Sequence, residues 1–222
     1  MNKKIFKISE KIKPFKKKIF VESDKSLSIR WVLFSSMSTE KSVALNLLKS
    51  EDVLSAIDCI KKLGSKVKFH NNKCEIIGNG LNYNIKKNLV LNSGNSGTLG
   101  RLLLGLLINS EKKIKLIGDK SLSKRDFSRV TIPLKKFGAK FSSNSKLPLY
   151  IEGLKNPKPI NYFEKKGSAQ VKTSIIMAAL KTKGLSKIRA KKSRTHTEIM
   201  LKNLKVPIKI KKTKKFDYIQ IN

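Results

Sequence analysis

One plan recurs three times along this chain, and it restricts the fold to architectures built from three like units. The first copy runs from Ser50 to Gly64 and on to Gly78, the second from Arg125 to Gly138 and on to Gly153, and the third from Arg194 to Leu204 and on to Ile221. In each, apolar residues at helical spacing precede two short alternating segments, the pattern of an amphipathic helix followed by a β-hairpin. Val53, Ile57 and Ile60 mark the inward stripe of the first helix. Gly64 and Gly138 fall just past the first two helices, where a left-handed stop costs glycine nothing. Lys205 holds that place in the third copy, which has the shorter helix.

A second element lies upstream of each copy. Small polar residues open a helix that is apolar on nearly every face, and a strand follows. The openings are Asp24 to Ser28, Gly94 to Thr98 and Gly167 to Val171, with Ser26, Ser96 and Ser168 as their matching serines. A helix apolar all round is a buried helix. The expected fold is therefore α/β, a pseudo-threefold repeat of βαβαββ-like units with buried helices inside and sheets outside. The repeats fall at about 21–90, 91–155 and 156–222, after a basic segment at 1–20. A doubly wound parallel sheet is the competing architecture, and the recurrent hairpins argue against it.

The chain has 222 residues, enough for a sizeable core, and 50 Lys+Arg against 15 Asp+Glu, for a net charge of +35. Such a field attracts polyanions. Lys, Asn and Ile are all abundant, as an AT-rich coding sequence gives, so most lysines read as solvated surface. Only Arg30, Arg101, Arg125, Arg129, Arg189 and Arg194 are arginines. The planar guanidinium grips phosphate or carboxylate with two bonds where lysine offers a point charge. Cys59 and Cys74 form neither a disulfide framework nor a metal cluster, and His70 and His196 lack ligand spacing. No metal is expected. No apolar run approaches the ~20 residues of a membrane span, and residues 1–20 lack the features of a secretory signal. A cytoplasmic protein without a membrane partner is the simplest expectation.

The helix openings concentrate the chemistry. A helix N-terminus presents unpaired N–H groups and the positive end of the dipole, a ready anion site. Lys25 and Arg30 accompany the first opening, Asn95 and Arg101 the second, Gln170 and Lys172 the third. Arg125 and Arg194 stand where the second and third amphipathic helices are expected to begin. Four of the six arginines thus gather beside the openings, as a small ligand bearing several phosphate or carboxylate groups would require.

These same residues carry a resemblance. Asp24-Lys25-Ser26-x-Ser28-x-Arg30 and Gly94-Asn95-Ser96-Gly97-Thr98-x-x-Arg101 resemble two signatures of the EPSP synthases (3-phosphoshikimate 1-carboxyvinyltransferases). Gly118-Asp119-x-Ser121-Leu122-x-Lys124-Arg125, Ser168-Ala169-Gln170-Val171-Lys172 and Ser193-Arg194-x-His196-Thr197-Glu198 resemble three more, in the family's order. The resemblance implies one half of an inside-out α/β barrel. It also implies transfer of enolpyruvyl from phosphoenolpyruvate to shikimate 3-phosphate by addition and elimination, with no metal or organic cofactor. On this likeness Lys25, Ser26, Arg30, Ser168, Ala169, Gln170, Ser193 and Arg194 would bind shikimate 3-phosphate. Lys25, Asn95, Gly97, Arg125 and Gln170 would hold phosphoenolpyruvate, with Thr98 and Arg101 supporting the loop. Lys25 is the best catalytic candidate.

There are departures. Ser23 stands where the family has Gly, Thr195 where Asp is common, and Asp126 replaces the Pro after Arg125, which would lower anion affinity. The family is about twice as long and keeps its acid–base carboxylates on a second domain. The chain is thus expected to be a fragment, a truncated gene product or half of a split enzyme, with 1–20 pairing to the missing domain and no turnover alone. The related UDP-N-acetylglucosamine enolpyruvyl transferases are disfavoured because neither cysteine falls near the second opening. The remaining alternatives are a non-catalytic descendant of the fold and a basic nucleic-acid-binding module. Against the latter, no basic strand with interleaved aromatics is legible, so only non-specific, salt-sensitive binding is expected.

Overall fold

Three helices rich in leucine, isoleucine and serine form the interior, and three sheets lie around them. The computed structural model describes residues 7, 9–11, 13, 14, 16, 18, 19, 21–142 and 145–222. The first stretch gives α1 (Lys25–Ser36), β1 (Lys41–Leu45), α2 (Glu51–Lys62), β2 (Lys66–His70) and β3 (Lys73–Ile77). The second gives β4 (Val90–Asn92), α3 (Gly97–Leu106), β5 (Ile114–Ile117), α4 (Lys120–Ser123), α5 (Ser128–Lys136), β6 (Lys140–Phe141) and β7 (Leu149–Glu152). The third gives β8 (Asn161–Glu164), α6 (Ala169–Ala179), β9 (Ser186–Lys191), α7 (His196–Asn203), β10 (Ile208–Lys212) and β11 (Phe216–Ile221).

Each stretch builds its own sheet, in the orders β1-β3-β2, β4-β5-β7-β6 and β8-β9-β11-β10. In the second and third sheets the strand before the inner helix runs parallel to the strand after it, and the other pairs are antiparallel. This mixed pattern, repeated, excludes a doubly wound parallel sheet. Among the described residues the first sheet has three strands. No described strand occupies the far side of β1, and the expectation for residues 1–20 falls mostly outside the described residues.

The inner helices are buried as their composition demands. Leu99, Leu102, Leu103 and Leu106 of α3 and Ile175 and Ile176 of α6 are fully buried, each side chain contributing about 1.5–3 kcal/mol. α3 and α6 pack closely because Gly105 has no side chain: a Cβ there would lie 2.1 Å from the Ser174 carbonyl oxygen.

The amphipathic helices stop as expected. Gly64 and Gly138 have φ of 99° and 103°, and Lys205 takes 54° at the same place. After α2 and α7 the reversed chain is tied down by Ser65 N–H to Ile60 O and by Val206 N–H to Leu201 O.

The caps revise the alignment of the openings. The residues capping α1, α3 and α6 are Asp24, Ser96 and Ser168, two equal intervals of 72 residues. Asp24, not Ser26, is therefore the counterpart of the two serines, and Ser26 lies one position inside the first turn. Arg125 and Arg194 do not begin helices. Each lies just ahead of one, because α5 starts at Ser128 and α7 at His196.

Candidate functional site

Each inner helix opens in the same way. Asp24 Oδ1 accepts from Leu27 N–H at 2.7 Å, Ser96 Oγ from Leu99 N–H at 3.3 Å, and Ser168 Oγ from Val171 N–H at 3.4 Å. The cap satisfies the third N–H of each helix. The first two, at Lys25 and Ser26, Gly97 and Thr98, and Ala169 and Gln170, have no hydrogen-bond partner among the described residues. Two clusters of side chains form beside these free donors, and the first turns of α6 belong to both.

Arg30 centres the first cluster. It is 3 % exposed and uses every arm of its fork: Nε donates to Thr197 Oγ1 at 3.0 Å, Nη2 to Thr173 Oγ1 at 3.2 Å and Nη1 to the Ser26 carbonyl at 3.0 Å. It thereby ties α1 to α6 and α7. Burial pulls its pKa down, Glu198 and Asp24 oppose that, and Arg194 adds to it, so two guanidinium charges act on the same region. Arg194 itself is exposed. The neighbouring Ser193 Oγ is buried without a hydrogen-bond partner. Lys25 is exposed and bridges to Asp52 of α2 at 3.0 Å.

Arg101 centres the second cluster. Its Nη1 donates to the Gly97 carbonyl and to Gln170 Oε1, both at 3.1 Å, while Nη2 reaches the Asp126 carbonyl at 3.4 Å. Its guanidinium carbon sits 5.2 Å from the Phe127 ring centre. Gln170 Nε2 donates to Thr98 Oγ1 at 3.0 Å, so Arg101 and Thr98 together fix which end of the amide faces which neighbour. The expected supporting role of these two residues has a geometric basis. Gly97 lies between two guanidinium groups: a Cβ there would be 2.8 Å from Arg101 Nη1 and 3.1 Å from Arg125 Nη1. Arg125 and Asn95 are exposed. Burial, with Arg129 and Arg125 beside it, lowers the Arg101 pKa.

Other side chains behave differently from what the sequence suggests. Lys172 does not accompany the α6 opening. It is fully buried, with its ammonium 2.5 Å from Glu198 Oε1 and 3.4 Å from Asp217 Oδ2. Its place four residues beyond the α6 cap turns it into the core, while Gln170 points to the opening. The Asp126 carboxylate accepts from Ser128 N–H at 2.9 Å and from Ser128 Oγ, bonds that hold its pKa down at about 2. It stays ionised at neutral pH but is engaged at the start of α5. Ser23 Oγ donates to the Asn46 carbonyl at 2.5 Å, pinning the chain just before α1.

Sequence reasoning missed Glu164. Its buried carboxylate accepts from the N–H groups of Lys166, Gly167 and Ser168 at 3.0, 2.7 and 3.0 Å. It shapes the turn that delivers Ser168 and Gln170. An acid four residues ahead of a serine cap was the available signal, and nothing in the sequence marked it as buried.

The profile of the family described as EPSP synthase (3-phosphoshikimate 1-carboxyvinyltransferase) matches residues 9–222. The chain belongs to the EPSP synthase family. It is 45 % identical over 191 residues to the 3-phosphoshikimate 1-carboxyvinyltransferase of Caldicellulosiruptor saccharolyticus, covering 84 % of this chain and 44 % of that protein. A Streptococcus agalactiae enzyme of the same name is 42 % identical over 188 residues, 83 % of this chain and 44 % of its own. A solved EPSP synthase from Acinetobacter baumannii superposes with a TM-score of 0.83 at 31 % identity, covering 93 % of this chain and 47 % of the other. The chain thus spans about half the length of the EPSP synthases it matches. Among the described residues, no helix is long and apolar enough to cross a membrane.

Proposed function

We propose that this chain forms the shikimate-3-phosphate side of a 3-phosphoshikimate 1-carboxyvinyltransferase, a cytoplasmic enzyme moving enolpyruvyl from phosphoenolpyruvate to the shikimate hydroxyl. The observation that carries the reading is the pair of cationic clusters sharing the first turns of α6, one through Thr173 and one through Gln170. Two anionic substrates held side by side need two such clusters. Ser26, Arg30, Ser168, Ala169, Ser193 and Arg194 take shikimate 3-phosphate, with the unpartnered Ser193 hydroxyl donating to it. Asn95, Gly97 and Arg125 take phosphoenolpyruvate, and Lys25 and Gln170 touch both.

Free N–H groups at the helix openings add fixed positive dipoles aimed at these anions. Addition of the substrate hydroxyl to the enolpyruvyl carbon gives a tetrahedral ketal. Loss of phosphate from that ketal together with a proton from its methyl group, which the added proton had formed from the methylene, regenerates the double bond. Lys25 is poised to follow the charge on the departing phosphate once released from Asp52.

The proton-transferring carboxylates belong to a second domain, which we place over the exposed face carrying Lys25, Asn95, Arg125 and Arg194. Residues 1–20 pair with that domain, and the three repeats at about 21–90, 91–155 and 156–222 form this one. An apolar hollow of about 650 Å³ beside the free edge of β1 favours a partner segment. Trp31, Phe34, Val43, Leu204 and Asn222 line it. On this reading the chain alone binds substrate without turnover.

Calorimetric titration of shikimate 3-phosphate into the chain at ~0.15 M salt, with shikimate as control, tests the proposal. Binding should require the phosphate and vanish in Arg194→Ala. Equal heats for both ligands, or an unaltered Arg194→Ala, would sink it.

A further inference from the structure

The three sheets expose outer faces built to one plan, so a general drift toward lysine acts on all three alike. Their differences therefore carry information. The outer face of the first sheet includes Glu75, which approaches Lys41 at 3.9 Å, and that of the second includes Glu152. The third has no outward carboxylate. Its two acids, Glu164 and Asp217, both point inward and are 4 % and 2 % exposed. Outward from β9 stand Lys187, Arg189 and Lys191, and from β10 Lys209 and Lys211. Phe163 from β8 and Phe216 and Tyr218 from β11 stand among them.

Strand register sets these groups in rows. Tyr218 lies opposite Arg189 on one side and Lys211 on the other, and Phe163 lies opposite Arg189. The Arg189 guanidinium carbon is 4.5 Å from the Phe163 ring centre, 4.1 Å from Phe216 and 5.9 Å from Tyr218, and the two Phe rings meet edge to face at 5.5 Å. Beside this cluster is a hollow of about 390 Å³ lined by Asn161, Phe163, Lys187, Arg189, Tyr218 and Gln220. The face combines cations in rows, aromatic surface and two side-chain amides at a small concavity.

We propose that the outer face of this sheet binds single-stranded nucleic acid, with bases stacked at Tyr218 and Arg189 and phosphates along Lys187, Lys191, Lys209 and Lys211. Flat rings on a sheet stack unpaired bases whatever their identity, while the cationic rows follow the backbone. Asn161 and Gln220 supply donors and acceptors for base edges. A duplex hides its base faces, and a base-free polyanion uses only the lysines, so neither matches the rings. The aromatics come from β8 and β11 and the cations from β9 and β10, which is why no single segment reads as basic and aromatic. The ring cluster belongs to the sheet and not to a helix opening, although Lys191 at one end reaches the α6 opening, where a Cβ on Gly167 would lie 3.9 Å from its side chain; the inference stands apart from the enzymatic reading.

Fluorescence anisotropy of a labelled twenty-nucleotide oligouridine with the full chain, at ~0.15 M salt, tests it. Tyr218→Ala should weaken binding about tenfold and Tyr218→Phe should restore it. Tyr218 is 39 % exposed, so the variant should keep its fold, which circular dichroism checks. As a second arm, Lys209→Ala/Lys211→Ala should weaken binding more than Lys66→Ala/Lys68→Ala, an equal loss of charge on the first sheet. Heparin affinity should be indifferent to Tyr218→Ala. Equal losses from the two lysine pairs, no loss in Tyr218→Ala, or duplex RNA bound as tightly as the single strand would each overturn the proposal.

Discussion

Two lysines near opposite ends of α6 meet burial in different ways. Lys172 is neutralised by Glu198 and Asp217. Lys181, 8 % exposed, has no carboxylate within ion-pair distance among the described residues. Its ammonium donates to Asn109 Oδ1 at 3.2 Å and lies 3.9 Å from the Tyr83 ring centre. Glu111, Lys112, Lys155 and Lys183 line a hollow of about 550 Å³ together with Lys181. Burial pulls Lys181 down to about 7 from an ordinary 10.5. Between those values the unfolded chain holds a proton that the folded chain has released, so this group's contribution to stability rises with pH. The expected outcome is that wild type gains stability relative to Lys181→Met from pH 7 to 10, by up to about 1.4 kcal/mol per pH unit. Urea unfolding of both proteins across that range measures it, and parallel curves would refute it. None of this was legible beforehand. A chain with 50 Lys+Arg gives no sign of which ammonium is indoors, because burial depends on which helix lies behind a residue.

At the scale of elements, the sequence was most informative where one residue type is required by one conformation. The C′ glycines, the apolar stripe of α2 and the all-round apolar faces of α3 and α6 were each legible for that reason. The position of Ser26 was not, because Asp and Ser cap helices equally well and only the backbone chooses between them. Glu164 illustrates the other limit. Three amide donors converge on it, yet they belong to its own turn and leave no periodic trace. Removing the acceptor leaves those donors to find water or go unpaired. Glu164→Ala is expected to lower stability by about 1–3 kcal/mol and to speed amide exchange at Lys166, Gly167 and Ser168 while leaving exchange at the α3 opening unchanged. Hydrogen exchange resolved by residue would show it, and uniform loosening of all three openings would contradict it.

For the whole molecule, the net charge of +35 in 222 residues opposes compaction through self-repulsion. Screening should relieve it. The thermal midpoint is expected to climb by several degrees as monovalent salt rises from ~0.01 to ~0.15 M, where the Debye length falls from ~30 to ~8 Å. A flat thermal profile would mean that the charges are already compensated locally. The threefold plan at this scale was legible because it is a sum of local patterns. The three-stranded first sheet was not, since which strands pair depends on partners distant in sequence or on another polypeptide.

That unfinished sheet makes concentration a variable for the isolated chain. Among the described residues no strand pairs with the outer side of β1, next to a hollow lined by Trp31, Phe34 and Leu204, and such an edge pairs readily with another like it. At low ionic strength, mutual repulsion between highly cationic molecules keeps two edges apart. The ions that steady each molecule also remove that barrier, so a ceiling is expected on the salt at which the chain stays monomeric, set by its unpaired strand rather than by its core.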